Sequence, residues 1–408
     1  MQRFTGSAYL KMDIAGSFGL DKKDWSARLD WFEANEPKLL ELVHQAETPA
    51  LYYAGVKAWL DVKAGKPSGY PISLDATASG MQILSCATGD RKAAQICNVV
   101  PTPGPTGDHR EDAYKNVYEI MRAEVREEEE LLHDDVKSAV MKSLFGSKAV
   151  PKEVFGEGEM LKAFYKTMKL VCPGVWELNE AFLAMWDPTV LSHDWVMPDN
   201  FHVHIKVMDL QTEVVSFHNE DYDLMRKVNA PIKEGRSLSA NTTHSIDGFI
   251  VREMGRRCSY DPYLVMRVRM ILSNEAPFSF MDREEAKEAH EMVGVLMDLY
   301  EKSGYFSARI LDYIDSDTIH FVDRNALKEL LDSLPKKPFD MATVHDCFRV
   351  LPNYGNDLRW QYNNQLALIA ESNILEFLLE QIIGYEIPVD KLDYELGNDI
   401  INSDYALA

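Results

Sequence analysis

Residues 74–82 read Leu74-Asp75-Ala76-Thr77-Ala78-Ser79-Gly80-Met81-Gln82, and residues 343–348 read Thr343-Val344-His345-Asp346-Cys347-Phe348. In each, a short apolar run delivers an Asp to its end: Ile72-Ser73-Leu74 leads to Asp75, and Met341-Ala342-Thr343-Val344 leads to His345-Asp346. The alternation and the β-branched residues predict strands. An Asp at a strand end, followed by small residues, exposes a carboxylate beside accessible backbone. Two such carboxylates on adjacent strands could hold a pair of oxygen-seeking cations. Magnesium uses one or two carboxylates plus substrate phosphates and keeps some of its waters. Two metals can clamp the attacking and leaving oxygens of a phosphoryl transfer. Taken singly, each Asp reads first as a turn former, the usual role of an Asp at a strand end.

Between them lies Lys137-Ser138-Ala139-Val140-Met141-Lys142-Ser143-Leu144-Phe145-Gly146. On a helix, Lys137, Met141, Leu144 and Phe145 share roughly one face. A Lys beside an aromatic ring can meet phosphate while the ring packs against sugar or base; the plainer reading is a Lys whose stem lies along apolar surface. Elsewhere, Asp24 could cap a helix through Trp25 to Phe32, and Glu36-Pro37 opens the next. Pro101 to Gly107 is the clearest linker, ahead of a long helical segment at about 109–145. Residues 195–217 alternate like strands, 218–241 are polar and turn-rich, and 280–340 read as helices with caps at Asp282, Ser303 and Asp323. Residues 357–384 make one long amphipathic helix or two.

The chain has 408 residues, 46% hydrophobic and 26% charged, which bounds it as globular with room for two or three domains. It carries 43 Lys and Arg against 65 Asp and Glu, a net charge of −22. A protein that binds nucleic acid by bulk charge is basic, so contact with DNA or RNA would need local cations, metal or a partner. The charge is uneven. Residues 119–135 hold eight acids against Arg122 and Arg126, with the run Glu127 to Glu130 among them; residues 371–408 hold nine acids against Lys391; residues 137–152 hold four Lys and no acid. The five Cys are widely spaced, without CxxC, which argues against a disulfide framework or zinc site and fits a reducing compartment. No apolar run reaches membrane-spanning or signal-peptide length. His290-Glu291 faintly suggests a zinc-protease motif, but Gly294 stands where the second His is needed.

In this order the three segments resemble motifs A, B and C of the single-subunit DNA-dependent RNA polymerases of phages and mitochondria. The family pattern D-G-S-x-S-G-x-Q is matched by Asp75, Ser79, Gly80 and Gln82. R-x-x-x-K-x-x-x-M-x-x-x-Y-G is matched at Lys137, Met141 and Gly146, and H-D-S-F at His345-Asp346-Cys347-Phe348. Asn241 to Gly248 is similar to the family's H-S-x-D-G segment, Gly19-Leu20-Asp21-Lys22 to a G-V-D-K segment, and Ser403 to Ala408 to a C-terminal S-D-F-A-F-A foot. DNA polymerases of the same architecture carry D-Y-S-x-I-E at the first motif, where small residues and Gln82 stand here. They remain the enzymatic alternative, and a catalytically silent subunit that recruits DNA is the non-enzymatic one.

The resemblance implies an α+β, mainly helical fold: a right-handed polymerase palm with an antiparallel sheet, and fingers. The palm would comprise 1–108, with motif A, and 245–408, with motif C and the foot. The fingers would be 109–244, including a stretch where the family places a promoter-reading hairpin. It further implies that Asp75, Asp346 and the Ala76 carbonyl ligate two Mg2+ ions, and that Lys137 contacts the phosphates of the incoming NTP and can serve as general acid. Lys22 would reach the triphosphate, His244 the nascent pair and ribose, and Tyr114 the substrate sugar, while His345 would support Asp346. Tyr114 and Lys22 also read as a core Tyr and a surface Lys.

The sequence departs from the family in several places. His133 stands at the Arg of motif B, and Phe145 replaces the Tyr whose hydroxyl helps distinguish ribose from deoxyribose. Between Gly248 and His345 lie 96 residues where the family has a couple of dozen. This insertion, about 252–338, contains Arg252, Arg256, Arg257, Arg267 and Arg269, and it covers DNA or a partner, or is passive elaboration. The family's N-terminal domain, thumb and D-x-x-G-R segment have no counterpart here. The chain therefore resembles the larger, C-terminal catalytic portion in the two-subunit branch of the family, that of the middle-gene polymerases of enterobacterial podoviruses. A smaller subunit would bring the missing parts. The implied partners are that subunit, template DNA, nascent RNA, NTPs and an accessory single-stranded-DNA-binding protein, in the cytoplasm of an infected bacterial host.

Overall fold

The computed structural model describes every residue except 103–108, 126–130, 230–235, 275–278 and 280; for 208–211, 226–229 and 236–237 it describes backbone alone. The fold is α+β and mainly helical. Its strands, among the described residues, are β1 Ile72–Asp75, β2 Ser192–Val196, β3 His202–Lys206, β4 Met208–Phe217, β5 Glu220–Asn229, β6 Ala342–Val344 and β7 Cys347–Val350. They form a three-stranded sheet in the order β1-β7-β6 and two hairpins, β2-β3 and β4-β5, all antiparallel.

The three-stranded sheet joins sequence ends 270 residues apart. Ile72 pairs with Val350, Leu74 with Phe348 and Asp75 with Cys347. Because side chains alternate across a strand, Ile72, Leu74, Phe348 and Val350 all point to one buried face. There they meet the helix Gly355–Glu371, with the Phe348 and Tyr362 rings 5.8 Å apart. The other edge of β1 is taken by the final residues of the chain. Asp75 N–H donates to Ala408 O at 3.3 Å, Ala408 N–H returns to Asp75 O at 2.9 Å, and Thr77 N–H donates to Ala406 O at 3.3 Å.

After Asp75 the chain turns through Ala76-Thr77-Ala78 into the helix Ser79–Thr88, whose last eight residues are buried. This helix must stop abruptly, and Gly89 stops it at φ 67°. A Cβ there would lie 2.6 Å from Asp393 O, so both the left-handed conformation and the close approach require glycine. Asp90 then accepts from Ala93 N–H at 3.1 Å and from Gly174 N–H at 2.8 Å, capping two helices with one buried carboxylate. The foot is held by Trp25, whose N–H donates to Tyr405 Oη at 2.7 Å and whose ring stacks on Tyr405 at 5.3 Å.

Residues 262–333 build a satellite core around Val268, Ile271, Val293, Leu311 and Leu327. Its long helix Arg283–Ser303 opens with a complete capping box between Asp282 and Glu285. The satellite is fastened to a charged cluster of the main body: Ser307 Oγ and Ala308 N–H donate to Glu253 at 2.6 and 2.9 Å, Arg257 Nη2 donates to Phe306 O at 3.1 Å, and Arg309 Nη1 donates to Asp199 O at 2.7 Å. Within the cluster, Arg252 Nε and Arg256 Nη1 reach Asp199 Oδ2 at 2.6 and 2.8 Å, and Arg257 Nε reaches Glu253 Oε2 at 3.3 Å. Three arginines that read as candidates to cover DNA are thus committed to internal carboxylates.

Several readings of the sequence need correction. The helical stretch at 109–145 is two helices, Ala113–Glu124 and His133–Leu144; Val125 is extended and ends the first. Glu127 to Glu130, like the linker residues Pro103 to Gly107, lie outside the described residues. The polar stretch 218–241 contains β5, because Tyr222 and Leu224 alternate with charges opposite β4. Of the two readings left open for the tail, two helices are found, Gly355–Glu371 and Ile374–Ile383. Ser303 ends a helix, and the following 3-10 turn is capped by Ser307.

Asp199 has no exposed side-chain surface and faces two arginines, whose charge outweighs burial and holds its carboxyl below the usual range. Removing one member of such a cluster leaves buried charge uncompensated. Asp199→Ala is therefore expected to cost about 3 kcal/mol, read as a clear fall in the urea midpoint at pH 7. An unchanged midpoint would show that the cluster does not stabilise the fold.

Candidate active site

A cavity of about 530 Å3 opens beside Asp75. It brings together six residues singled out in the sequence: Lys22, Asp75, Ala76, Tyr114, His133 and Lys137. Lys137 lies on the helix His133–Leu144, with its Nζ 5.7 Å from the centre of the Tyr114 ring. His133 opens that helix and meets the ring of Tyr118 edge-on at 5.7 Å. Met141, one turn beyond Lys137, lines the same wall.

Asp346 reaches this place from the far end of the sequence. The β6-β7 hairpin turns at His345-Asp346, with Val344 paired to Cys347. His345 takes φ 54°, a left-handed conformation that His adopts more readily than most residues. Asp346 O accepts from Ala76 N–H at 3.2 Å, so backbone hydrogen bonding fixes the two Asp segments side by side. Burial, then repulsion from Asp346, pushes the Asp75 carboxyl up to about 6, although the Ala76 amide and Arg110 oppose the shift. Asp247, on the helix Arg236–Cys258, is likewise pushed up to about 6 by burial and by Asp346. Three carboxylates thus crowd one region.

A second group of residues gathers at Gly80. Phe145 and His244 stack with ring centres 4.9 Å apart, and a Cβ on Gly80 would lie 3.2 Å from Phe145 Cζ. Phe145 lies just beyond the helix rather than on it, because the helix closes at Leu144 and Gly146 turns away at φ 81°. The expected common face with Lys137 therefore holds for Met141 and not for Phe145. Gln82 is wholly occupied: its Nε2 donates to Thr77, Cys97 and Ala406, and its Oε1 accepts from Tyr362. It binds the Asp75 turn to the foot.

Among the described residues, no three His, Cys, Asp or Glu side chains converge as a ready-made metal cage. The donors on offer are the carboxylates of Asp75 and Asp346 and the Ala76 carbonyl, hard oxygens that suit magnesium and leave positions for substrate oxygens. The cysteines are free thiols, and no described helix is long and apolar enough to cross a membrane.

Sequence reasoning missed Arg110 and Arg349, which line the cavity. Neither lies in a periodic pattern, and nothing in the sequence marked them. It quoted Asp247 without assigning it a role; the three-residue step from His244, one helical turn, was the available signal.

Residues 4–154 match the family model of DNA-dependent RNA polymerase. That span contains Lys22, Asp75, Tyr114, His133, Lys137, Phe145 and Gly146. The chain is similar to a protein of Neurospora crassa described as a probable DNA-directed RNA polymerase, 32% identical over 132 residues, which is 30% of this chain and 14% of that protein. It is also similar to the mitochondrial DNA-directed RNA polymerase of Schizosaccharomyces pombe, 27% identical over 165 residues, 34% of this chain and 13% of that protein. The chain thus aligns with about one seventh of the length of these relatives.

The buried wall of the cavity also carries Asp13, whose carboxylate accepts from Tyr70 Oη and Ser73 N–H, both at 2.8 Å. Burial pushes this carboxyl up to about 6. The folded state therefore favours the protonated form, and stability falls as pH rises from about 4 through 6. Asp13→Asn is expected to remove most of that fall, a gain on the order of 1 kcal/mol at pH 8 after allowance for partial solvation. Urea titrations at pH 5 and pH 8 measure it; an equal fall in both proteins contradicts the assignment.

Proposed function

We propose that this chain is the catalytic subunit of a DNA-directed RNA polymerase, transferring nucleotides from NTPs to the 3′ end of RNA. The observation that carries the reading is the pairing of the Asp75 and Asp346 segments at a cavity also lined by Lys22, Tyr114, His133 and Lys137. The similarity of residues 4–154 to the polymerase family supports it. In this reading, the sheet and the helices around it form the palm, and the helix His133–Leu144 belongs to the fingers.

Asp75, Asp346 and the Ala76 carbonyl would hold two magnesium ions. Bound there, the metals supply Lewis acidity to the attacking hydroxyl and the departing pyrophosphate. The chain's own residues do the rest. Lys137 places a cation on the nucleotide phosphates and can donate a proton to the leaving group. Lys22, which lines the same cavity, reaches the same phosphates, and the Tyr114 ring offers a face to the sugar. His345 fixes the turn that presents Asp346. The Phe145 and His244 stack at Gly80 forms the surface that meets the ribose edge.

The reading includes a smaller second polypeptide bringing the N-terminal domain, thumb and D-x-x-G-R segment, as in the two-subunit branch found in enterobacterial podoviruses. It also places the enzyme on phage DNA in the host cytoplasm. The test is RNA extension on a primed RNA–DNA scaffold by the chain co-purified with that partner. Asp346→Ala is expected to lower the rate at least a thousandfold without dissociating the complex. Extension that survives the substitution would instead indicate a chain that only recruits DNA.

Phe145 has no hydroxyl to read the ribose. The complex is expected to accept deoxynucleotides readily, and Phe145→Tyr to raise the preference for ribonucleotides about tenfold, as expected for one polar contact to the sugar. The ratio of kcat/KM for ATP and dATP measures it. An unchanged ratio removes Phe145 from the discrimination, and a wild-type ratio that favours dATP would make the chain a DNA polymerase.

A further inference from the structure

One guanidinium at the cavity has no role in the reaction just described. Arg110 lines the same space as Lys22, His133 and Lys137. Its main chain is firmly held. Its own N–H donates to Asp24 Oδ1 at 2.7 Å, and Glu111 N–H donates to Asn98 Oδ1 at 2.8 Å. Asp112 caps the helix that carries Tyr114. The side chain is different: its buried Nε has no hydrogen-bond partner among the described residues. Most buried donors in folded proteins are paired, so this guanidinium is not fixed by a protein acceptor at Nε, and it lines the cavity.

Arg349, on β7, also lines the cavity with a buried Nε that has no partner among the described residues; the remaining cations are differently placed. Arg28 donates from Nε to Lys23 O at 3.1 Å and lies 4.6 Å over the Trp25 ring. Lys137 rests against Tyr114. His133 offers an imidazole, which carries no permanent charge. A guanidinium is always charged and presents a planar fork that fits phosphate oxygens. Burial lowers the Arg110 pKa, and the charges of Asp21, Asp112 and Asp75 oppose that shift. They are near enough to be felt, yet they leave the Nε donor unused.

We propose that Arg110 binds the polyphosphate of the incoming nucleotide, supplying at this wall the fixed positive charge that His133 does not. The assignment of a nucleotide as ligand rests on the polymerase reading; the affinity of the cavity for polyphosphate does not.

Two measurements separate them. In the first, inorganic tripolyphosphate is titrated calorimetrically into the full chain. Binding is expected in the wild type, at least tenfold weaker in Arg110→Ala, partly kept in Arg110→Lys, and partly restored in Arg110→Ala with His133→Arg, which moves the guanidinium to the start of the helix His133–Leu144. No binding by the wild type, or affinities equal within twofold, overturns the proposal. In the second, single-nucleotide extension is followed with the co-purified complex. Arg110→Ala is expected to raise KM for NTP about tenfold, with kcat within threefold and scaffold affinity unchanged. A fall in kcat alone, or weaker scaffold binding alone, assigns Arg110 to supporting Asp75 or to the template and overturns the proposal. Loss of tripolyphosphate binding in a complex that makes no RNA leaves the Arg110 site standing and removes the polymerase reading.

Discussion

The site depends on the backbone ladder around Asp75. β1 is four residues long, and by itself such a strand has little stability. It is held on one edge by β7 and on the other by the last three residues of the chain. Those bonds fix Asp75 between segments from opposite ends of the sequence. They also determine which residue stands beside it, since Ala76 N–H can donate to Asp346 O only in this register. A slip of one residue would turn Asp75 into the apolar core and Leu74 into the cavity. Gln82 secures the register with four side-chain bonds made inside the protein.

This clamp brings like charges together. Asp75 and Asp247 are each buried and each repelled by Asp346. Such an arrangement is costly in the bare protein and is the usual physical signature of a site built to receive cations or protons. It also bears on the overall charge of −22. Part of the acidity is local and belongs to the site. Lys22, Arg110 and Lys137 beside it line the cavity.

Much of this was legible in the sequence. Apolar residues leading to Asp75 and to Asp346 gave the strands, because β-branched residues before a turn-forming Asp leave few alternatives. Lys137 and Met141 shared a helical face because a spacing of four does so in any helix. Other features were not legible. The pairing of residues 406–408 with β1 is a long-range contact that no local pattern encodes. β5 was hidden because its charges masked the alternation of Tyr222 and Leu224. Phe145 left its helix because Gly146, a weak signal, turned the backbone. Arg110 entered the cavity through the anchoring of its main chain by Asp24 and Asn98, which sequence spacing does not reveal.

The central claim is that the Asp75 and Asp346 carboxylates form one divalent-cation site. The most direct measurement is Mn2+ stoichiometry by electron paramagnetic resonance, with the co-purified complex and a non-hydrolysable NTP. The account predicts two tightly bound ions, magnetically coupled as expected for metals about 4 Å apart, with both lost in Asp75→Asn with Asp346→Asn. Full Mn2+ binding in that double variant, or no tight binding in the wild type, would contradict it.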